Sequence, residues 1–144
     1  MQDTAETLRG HGIQPSAQRA AVARYALTTT DHPSADEVWA AVKRRFPMIS
    51  RATVYNTLNL FVEKGLLARH VLAEGCVVFD PKVERHHHFV DDATGRIHDV
   101  PWEALDVRRV KSLSGFDVRE YQVVLRGRAR QGASRPAPRR TSRP

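Results

Sequence analysis

His86 and His88, with Asp80 and Asp99 nearby, have the types and spacing to hold a metal ion. The stretch ERHHHFVDD, Glu84 to Asp92, sets three consecutive histidines in a chain that has seven. In a strand, successive side chains point to opposite faces, so His86 and His88 share one face and His87 takes the other. Two imidazoles so placed can converge on one ion. Carboxylates for further positions stand at Asp80, just before the run, and at Asp99, at the end of the next β-rich segment. A set of two nitrogens and two oxygens without thiolate suits Fe(II), Mn(II) or Zn(II), and open positions on a bound iron would admit peroxide. A solvated surface run is the commoner fate of neighbouring histidines. A purification tag fits poorly, because the run is internal and sits between β-formers. His98 points away from Asp99 and reads as surface. Cys76 is the only cysteine, so the chain has neither an internal disulfide nor a CxxC zinc cage of its own.

The elements that must position these groups come from a chain of 144 residues, 41% hydrophobic, enough for one compact domain or two small ones. The start, MQDTAETLRG, lacks the basic and apolar regions of a secretory signal. No apolar run approaches the roughly 20 residues of a membrane span. A soluble, cytoplasmic protein without a membrane partner is expected. The formal net charge is +7, yet residues 126–144 alone carry seven arginines and no acid, leaving sixteen basic against sixteen acidic residues elsewhere. The Arg, Pro, Ser and Gly of that stretch bury little, so 128–144 is expected to be a disordered tail with salt-dependent, non-specific affinity for phosphate.

From about Thr4 to Leu67 the pattern is helical. QPSAQRAAVARYAL opens on Pro15 and Ser16 and puts Ala20, Val22, Ala23, Ala26 and Leu27 roughly on one face. HPSADEVWAAVKRRF carries a capping box at Ser34 and Glu37, then Val38, Trp39, Ala41 and Val42, with Pro47 as its stop. SRATVYNTLNLFVEKGLL opens on Ser50, buries Val54, Leu58, Phe61 and Val62, and stops at Gly65. Two β-rich runs, LLARHVL and CVVFD, follow around AEG as a hairpin. Helix, short connection, helix, then hairpin is a winged helix. The polar side of the third helix carries Ala52, Asn56 and Asn59 flanked by Thr53 and Tyr55, which suits a major groove. A solvated polar face is the commoner reading of that helix taken alone. Beyond Pro81, HHHFVDD and RIHDV read as strands, PWEALDVRRVKSL as a helix starting at Pro101, and FDVREYQVVLRG as a longer strand. So small a unit has little core, and pairing with a second copy is the expected remedy.

GIQPSAQR, HPSADEVW, SRATVYNTLNLFVEKGLL, VFD, HHHF and GRIHDV fall in the register of the ferric uptake regulator (Fur) family, which the chain resembles over roughly residues 4–127. The resemblance implies an α+β protein with a winged helix-turn-helix over 1–80 and a metal-binding dimerisation domain over 81–127. It implies a homodimeric, metal-dependent repressor on double-stranded DNA, with an AT-rich inverted repeat as operator and no enzymatic activity. Candidate DNA contacts are Arg19, Ser50, Arg51, Thr53, Tyr55 and Asn56, the last two nearest the bases. The regulatory site is completed by the histidine of HPSAD, giving His32, Asp80, His86, His88 and Asp99 for Fe(II) or Mn(II), with Zn(II) as a substitute in vitro.

Having Asp at both acidic positions resembles the family's peroxide-responsive branch (PerR). There, Fe(II) and hydrogen peroxide oxidise a ligand histidine and DNA is released, and the targets here are His32 and His86. The chain departs from the family's pattern in three places. Asp91 and Thr94 stand where a structural-zinc CxxC pair is common, and no second pair follows. Gln14 stands where a basic residue reaches the minor groove, and Arg85 and Tyr121 where an accessory metal site has ligands. The iron-response regulators (Irr) also lack the cysteines and carry HHHF, with haem implicated, which keeps an iron- or haem-responsive regulator as the alternative. Cys76 precedes Val77, so the Cys-Pro haem dipeptide is absent. Two other classes compete. A two-histidine, one-carboxylate oxygenase needs a larger fold and a deep pocket. A metal-independent DNA-binding protein would keep its DNA affinity in chelator.

Overall fold

Among the described residues, three of the four α-helices begin at a serine that caps them. In the computed structural model, which describes residues 3–73 and 75–130, these are α1 (Thr4–Gly10), α2 (Ala17–Ala26), α3 (Ala35–Val42) and α4 (Arg51–Glu63). Ser16 Oγ accepts the Arg19 N–H and Ser50 Oγ the Thr53 N–H, while Ser34 and Glu37 close the reciprocal capping box at 3.2 and 2.9 Å. Regular helix ends at Val42, earlier than expected. The Arg45 and Phe46 N–H groups both return to Val42 O, at 3.1 and 3.0 Å, so the helix closes in a tightened turn ahead of Pro47. α4 ends as its sequence predicts. Gly65 takes φ +82°, its N–H bonds Val62 O, and the Leu66 N–H reaches back to Phe61 O at 2.8 Å.

The apolar stripes of these helices meet in one core. Leu8, Val22, Val38, Val54, Leu58 and Phe61 have no solvent exposure. The hairpin of β1 (Ala68–Ala73) and β2 (Cys76–Asp80) pairs Ala68 with Asp80 and adds Phe79 to that core. The Phe79 N–H donates to Pro33 O at 2.9 Å, tying the end of β2 to the loop before α3.

The described residues divide into two units, one ending at Val83 and one starting at Glu84. In the second, β3 (His86–Asp91) is the central strand. It runs antiparallel to β4 (Ile97–Pro101) and parallel to β5 (Val124–Gly127). The helix expected from Pro101 does not form beyond one 3-10 turn, Trp102–Ala104. Leu105 is extended, Arg109 adopts φ +66°, and Val107 and Val110 are β-branched. The apolar residues at 105, 107, 110 and 113 never build one stripe, and without burial a short helix does not repay its nucleation. The long strand expected over 116–127 is also shorter, four residues. Its ladder stops where the Val123 N–H goes to the His87 ring at 2.9 Å instead of to a strand carbonyl. Residues 131–144, most of the expected tail, lie outside the described residues, and among those described no helix is long and apolar enough to cross a membrane.

Candidate functional site

Strand parity delivers the histidine pair as expected. His86 and His88 lie on one face of β3 with their Nε2 atoms 3.1 Å apart, and Asp99, which β4 sets opposite His88, brings Oδ1 to 3.3 Å from His86 Nε2 and 3.8 Å from His88 Nε2. Both rings are buried while the Asp99 side chain keeps 31% exposure, so the group has a solvent side.

The outer nitrogens decide what this group can hold. His86 Nδ1 donates to the Glu84 carbonyl at 2.7 Å, and His88 Nδ1 donates to Gln122 Oε1 at 3.0 Å. With each proton on Nδ1, neutral rings turn their Nε2 lone pairs toward each other and toward a carboxylate oxygen. Three electron-rich atoms aimed at one point fit a cation, and ligands about 2.1 Å from an ion at neighbouring coordination positions lie about 3 Å from each other, as these nitrogens do. Gln122 fixes the tautomer of His88 and was not foreseen from the sequence, because the β3–β5 register that brings it there was not legible. Gln122→Leu is expected to weaken Mn(II) binding roughly 10-fold with the melting temperature of the metal-free protein nearly unchanged. Isothermal titration with Mn(II) checks it, and unchanged affinity removes Gln122 from the site.

In the first unit, His32 and Asp80 form a second pair. His32 Nε2 is 3.1 Å from Asp80 Oδ2, both side chains are about 5% exposed, and the Lys82 N–H occupies Asp80 Oδ1 at 2.9 Å. His32 holds φ +52°, a left-handed conformation that costs a non-glycine residue free energy, and one that the following Pro33 restricts further. Strain of this kind persists where a position has a use.

His87 faces the other way and is not in the cluster. Its ring stacks on Trp102 at 4.5 Å, and the Arg85 guanidinium covers the same indole at 4.0 Å. Burial, together with the neighbouring histidines and Arg85, pushes the His87 pKa down, in keeping with a neutral ring that accepts the Val123 N–H. Arg85 and Tyr121 thus join an aromatic stack. His98, expected at the surface, is half-buried beside Phe89. At the place of the missing cysteines, Asp91 Oδ1 accepts the Ala93 N–H at 2.9 Å and Thr94 Oγ1 the Arg96 N–H at 3.2 Å, so hydrogen bonds close this turn. Burial pushes the Asp91 pKa up, but the hydrogen bonds its carboxylate accepts from the Ala93, Thr94 and Ala129 N–H groups and the Thr94 hydroxyl outweigh it, and the net shift is downward.

On α4, Arg51, Ala52, Tyr55, Asn56 and Asn59 are exposed, and Val54, Thr57, Leu58 and Phe61 are buried. Arg19, Thr53 and Asn56 line one shallow groove between α2 and α4, while Ser50 is engaged as the cap. Arg19 Nη1 donates to Gln14 O at 2.8 Å. Asp36 was also not singled out by the sequence. It accepts the Tyr55 hydroxyl at 3.1 Å and pairs with Arg51 at 3.4 Å.

The sequence model of the ferric uptake regulator family matches residues 10–126. The chain belongs to the ferric uptake regulator family. It is 30% identical over 129 residues to the peroxide-responsive repressor PerR of Staphylococcus epidermidis, covering 88% of this chain and 86% of that protein. Among solved structures, the ferric uptake regulator of Pseudomonas aeruginosa with manganese superposes with TM-score 0.66 at 26% identity, over 91% of this chain and 100% of that one. PerR of Streptococcus pyogenes matches with TM-score 0.50 at 26% identity, over 90% and 92%. Fur-family proteins are dimeric, DNA-binding regulators and not enzymes. The α+β fold with an N-terminal winged helix-turn-helix and a C-terminal sheet unit is the family's. Family structures hold iron, manganese or zinc, and the donors found here are of the type such ions take.

Proposed function

We propose that this Fur-family regulator is a dimeric repressor that binds an operator duplex when loaded with Fe(II) or Mn(II) and releases it when peroxide oxidises a ligand histidine. The observation that carries the reading is the convergence of His86 Nε2, His88 Nε2 and Asp99, with both ring tautomers fixed by their outer hydrogen bonds. Likeness to peroxide-responsive relatives over most of the chain supports the choice of signal. In this reading His32 and Asp80 complete the ligand set. Bound Fe(II) supplies reactivity toward peroxide that Mn(II) does not.

The residues do the rest. Because His32 and Asp80 belong to one unit and His86, His88 and Asp99 to the other, an ion held by both sets fixes one relative orientation of the two units. That orientation sets the spacing of the two α4 helices in the dimer, and with it the match to an inverted repeat. Arg19, Ser50, Arg51 and Thr53 are the phosphate and edge contacts in this reading, and Tyr55 and Asn56 the base contacts. The test is duplex binding by the Mn(II)-loaded chain before and after chelation. A loss of at least ~100-fold in operator affinity is expected, from the orientation lost and the half-site spacing that depends on it. Affinity unchanged by chelator would make this a metal-independent DNA-binding protein. Metal-dependent binding that peroxide leaves intact with iron would move the signal to iron or haem status.

A further inference from the structure

Asp36 lies in the first turn of α3, yet both of its side-chain contacts are with residues of α4. The two side chains it holds, Tyr55 and Arg51, are among the proposed DNA contacts. Arg51 also lies over the Trp39 ring at 4.7 Å, which bounds the guanidinium on a second side. Trp39 is itself anchored by its Nε1–H donating to Ile49 O at 3.1 Å. One carboxylate and one indole therefore determine where the first cation of α4 points.

The pairing is too exposed to be explained by stability. The Arg51 side chain is 60% and the Asp36 side chain 43% exposed, and pairs of this kind contribute little to folding. What the carboxylate does change is the charge next to an approaching phosphate. A phosphate drawn to Arg51 meets the Asp36 charge beside it, and like charges brought together at an interface disfavour association. Backbone contacts alone are then weakly rewarded, and tight binding requires the base contacts that only the correct sequence offers.

We propose that Asp36 is a specificity-determining residue of the DNA-reading helix, holding Tyr55 and Arg51 in one pose and opposing sequence-independent phosphate contacts by them. The proposal rests on the DNA-reading function proposed above. The Tyr55 hydroxyl gives it a readout that needs no DNA, because burial and the bond to Asp36 both raise the phenol's pKa.

The experiment uses the full chain loaded with Mn(II). A random-sequence duplex pool is first selected on the unsubstituted protein, and affinities are then measured by fluorescence anisotropy for the selected duplex and for a scrambled one. Asp36→Asn is expected to bind the scrambled duplex about 3- to 10-fold more tightly, with a salt slope steeper by about one charge, and to lose most of the preference for the selected duplex. Asp36→Glu should retain the preference. In an Arg51→Gln background, Asp36→Asn should no longer tighten scrambled binding, and this arm stands even if one single variant proves unstable. Absorbance titration, with Tyr55→Phe identifying the step, should show the Tyr55 phenol ionising at lower pH in Asp36→Asn. If the unsubstituted protein selects no sequence, the DNA-reading function itself falls. If it selects one and Asp36→Asn keeps the same preference, scrambled affinity and phenol titration, the role of Asp36 alone is overturned.

Discussion

His88→Ala is expected to lower Mn(II) affinity by more than ~100-fold and to abolish metal-dependent duplex binding, because removing a ligand exceeds the 10- to 100-fold typical of losing an outer partner. His88 is the proposed ligand most enclosed by the fold: fully buried, central on β3, hydrogen-bonded through Nδ1 to Gln122 and 3.1 Å from His86 Nε2. Truncating a buried ring also leaves a cavity, so stability must be separated from ligation. The comparison that does so is His32→Ala. It lies in the other unit, leaves the His86, His88 and Asp99 group intact, and keeps the Cβ that makes φ +52° unfavourable, so it does not relieve the backbone. His32→Ala is expected to retain weakened Mn(II) binding at the second unit while losing the metal dependence of DNA binding. Titrations followed by electron paramagnetic resonance, paired with thermal melts of the metal-free proteins, read both quantities. Regulation intact in His32→Ala would remove His32 from the set, and Mn(II) affinity intact in His88→Ala would remove the β3 pair.

How far the site was legible in the sequence follows from the range of the interactions involved. Ser34 with Glu37 and Gly65 act within a turn of themselves, and the caps they predict are present. The parity of β3 is equally local, so His86 and His88 could be put on one face and His87 on the other without knowing any partner strand. The residues that complete the environment are not local. Gln122 reaches His88 across 34 positions and Asp36 reaches Tyr55 across 19, through a strand register and a helix packing that periodicity does not encode. The failed helix after Pro101 has a different cause. Residues 101–113 offered a start signal and helix-compatible composition, but no stripe to bury, and tertiary packing decides whether a segment of that length stays helical. Leu113 and Phe116 remain 53% and 71% exposed, as expected of a segment that found no surface to pack on within its own unit.

Anaerobic loading with Fe(II) followed by hydrogen peroxide is expected to add one oxygen atom to peptides containing His32 and His86, and loading with Mn(II) to add none. The chemistry is a two-electron oxidation: one peroxide oxygen replaces hydrogen at a ring carbon of the imidazole, and the other leaves as water. The oxidant generated at a metal site is consumed by what lies nearest, so ligand rings are the preferred targets. The buried position of both rings makes bulk peroxide a poor competitor. Cys76 provides an internal control, since oxidation by bulk peroxide reaches a half-buried thiol whichever ion is present. A carbonyl-bearing ring is a poorer donor than imidazole, so His86 would lose its place opposite His88, and His32 its place beside Asp80. Because the proposed DNA-binding form requires both units to share one ion, a single modified histidine should release the operator. Peptide mass spectrometry against the fraction of DNA still bound tests that proportionality. Modification of Cys76 alone, or operator release without any histidine oxidation, would place the peroxide response elsewhere in the chain.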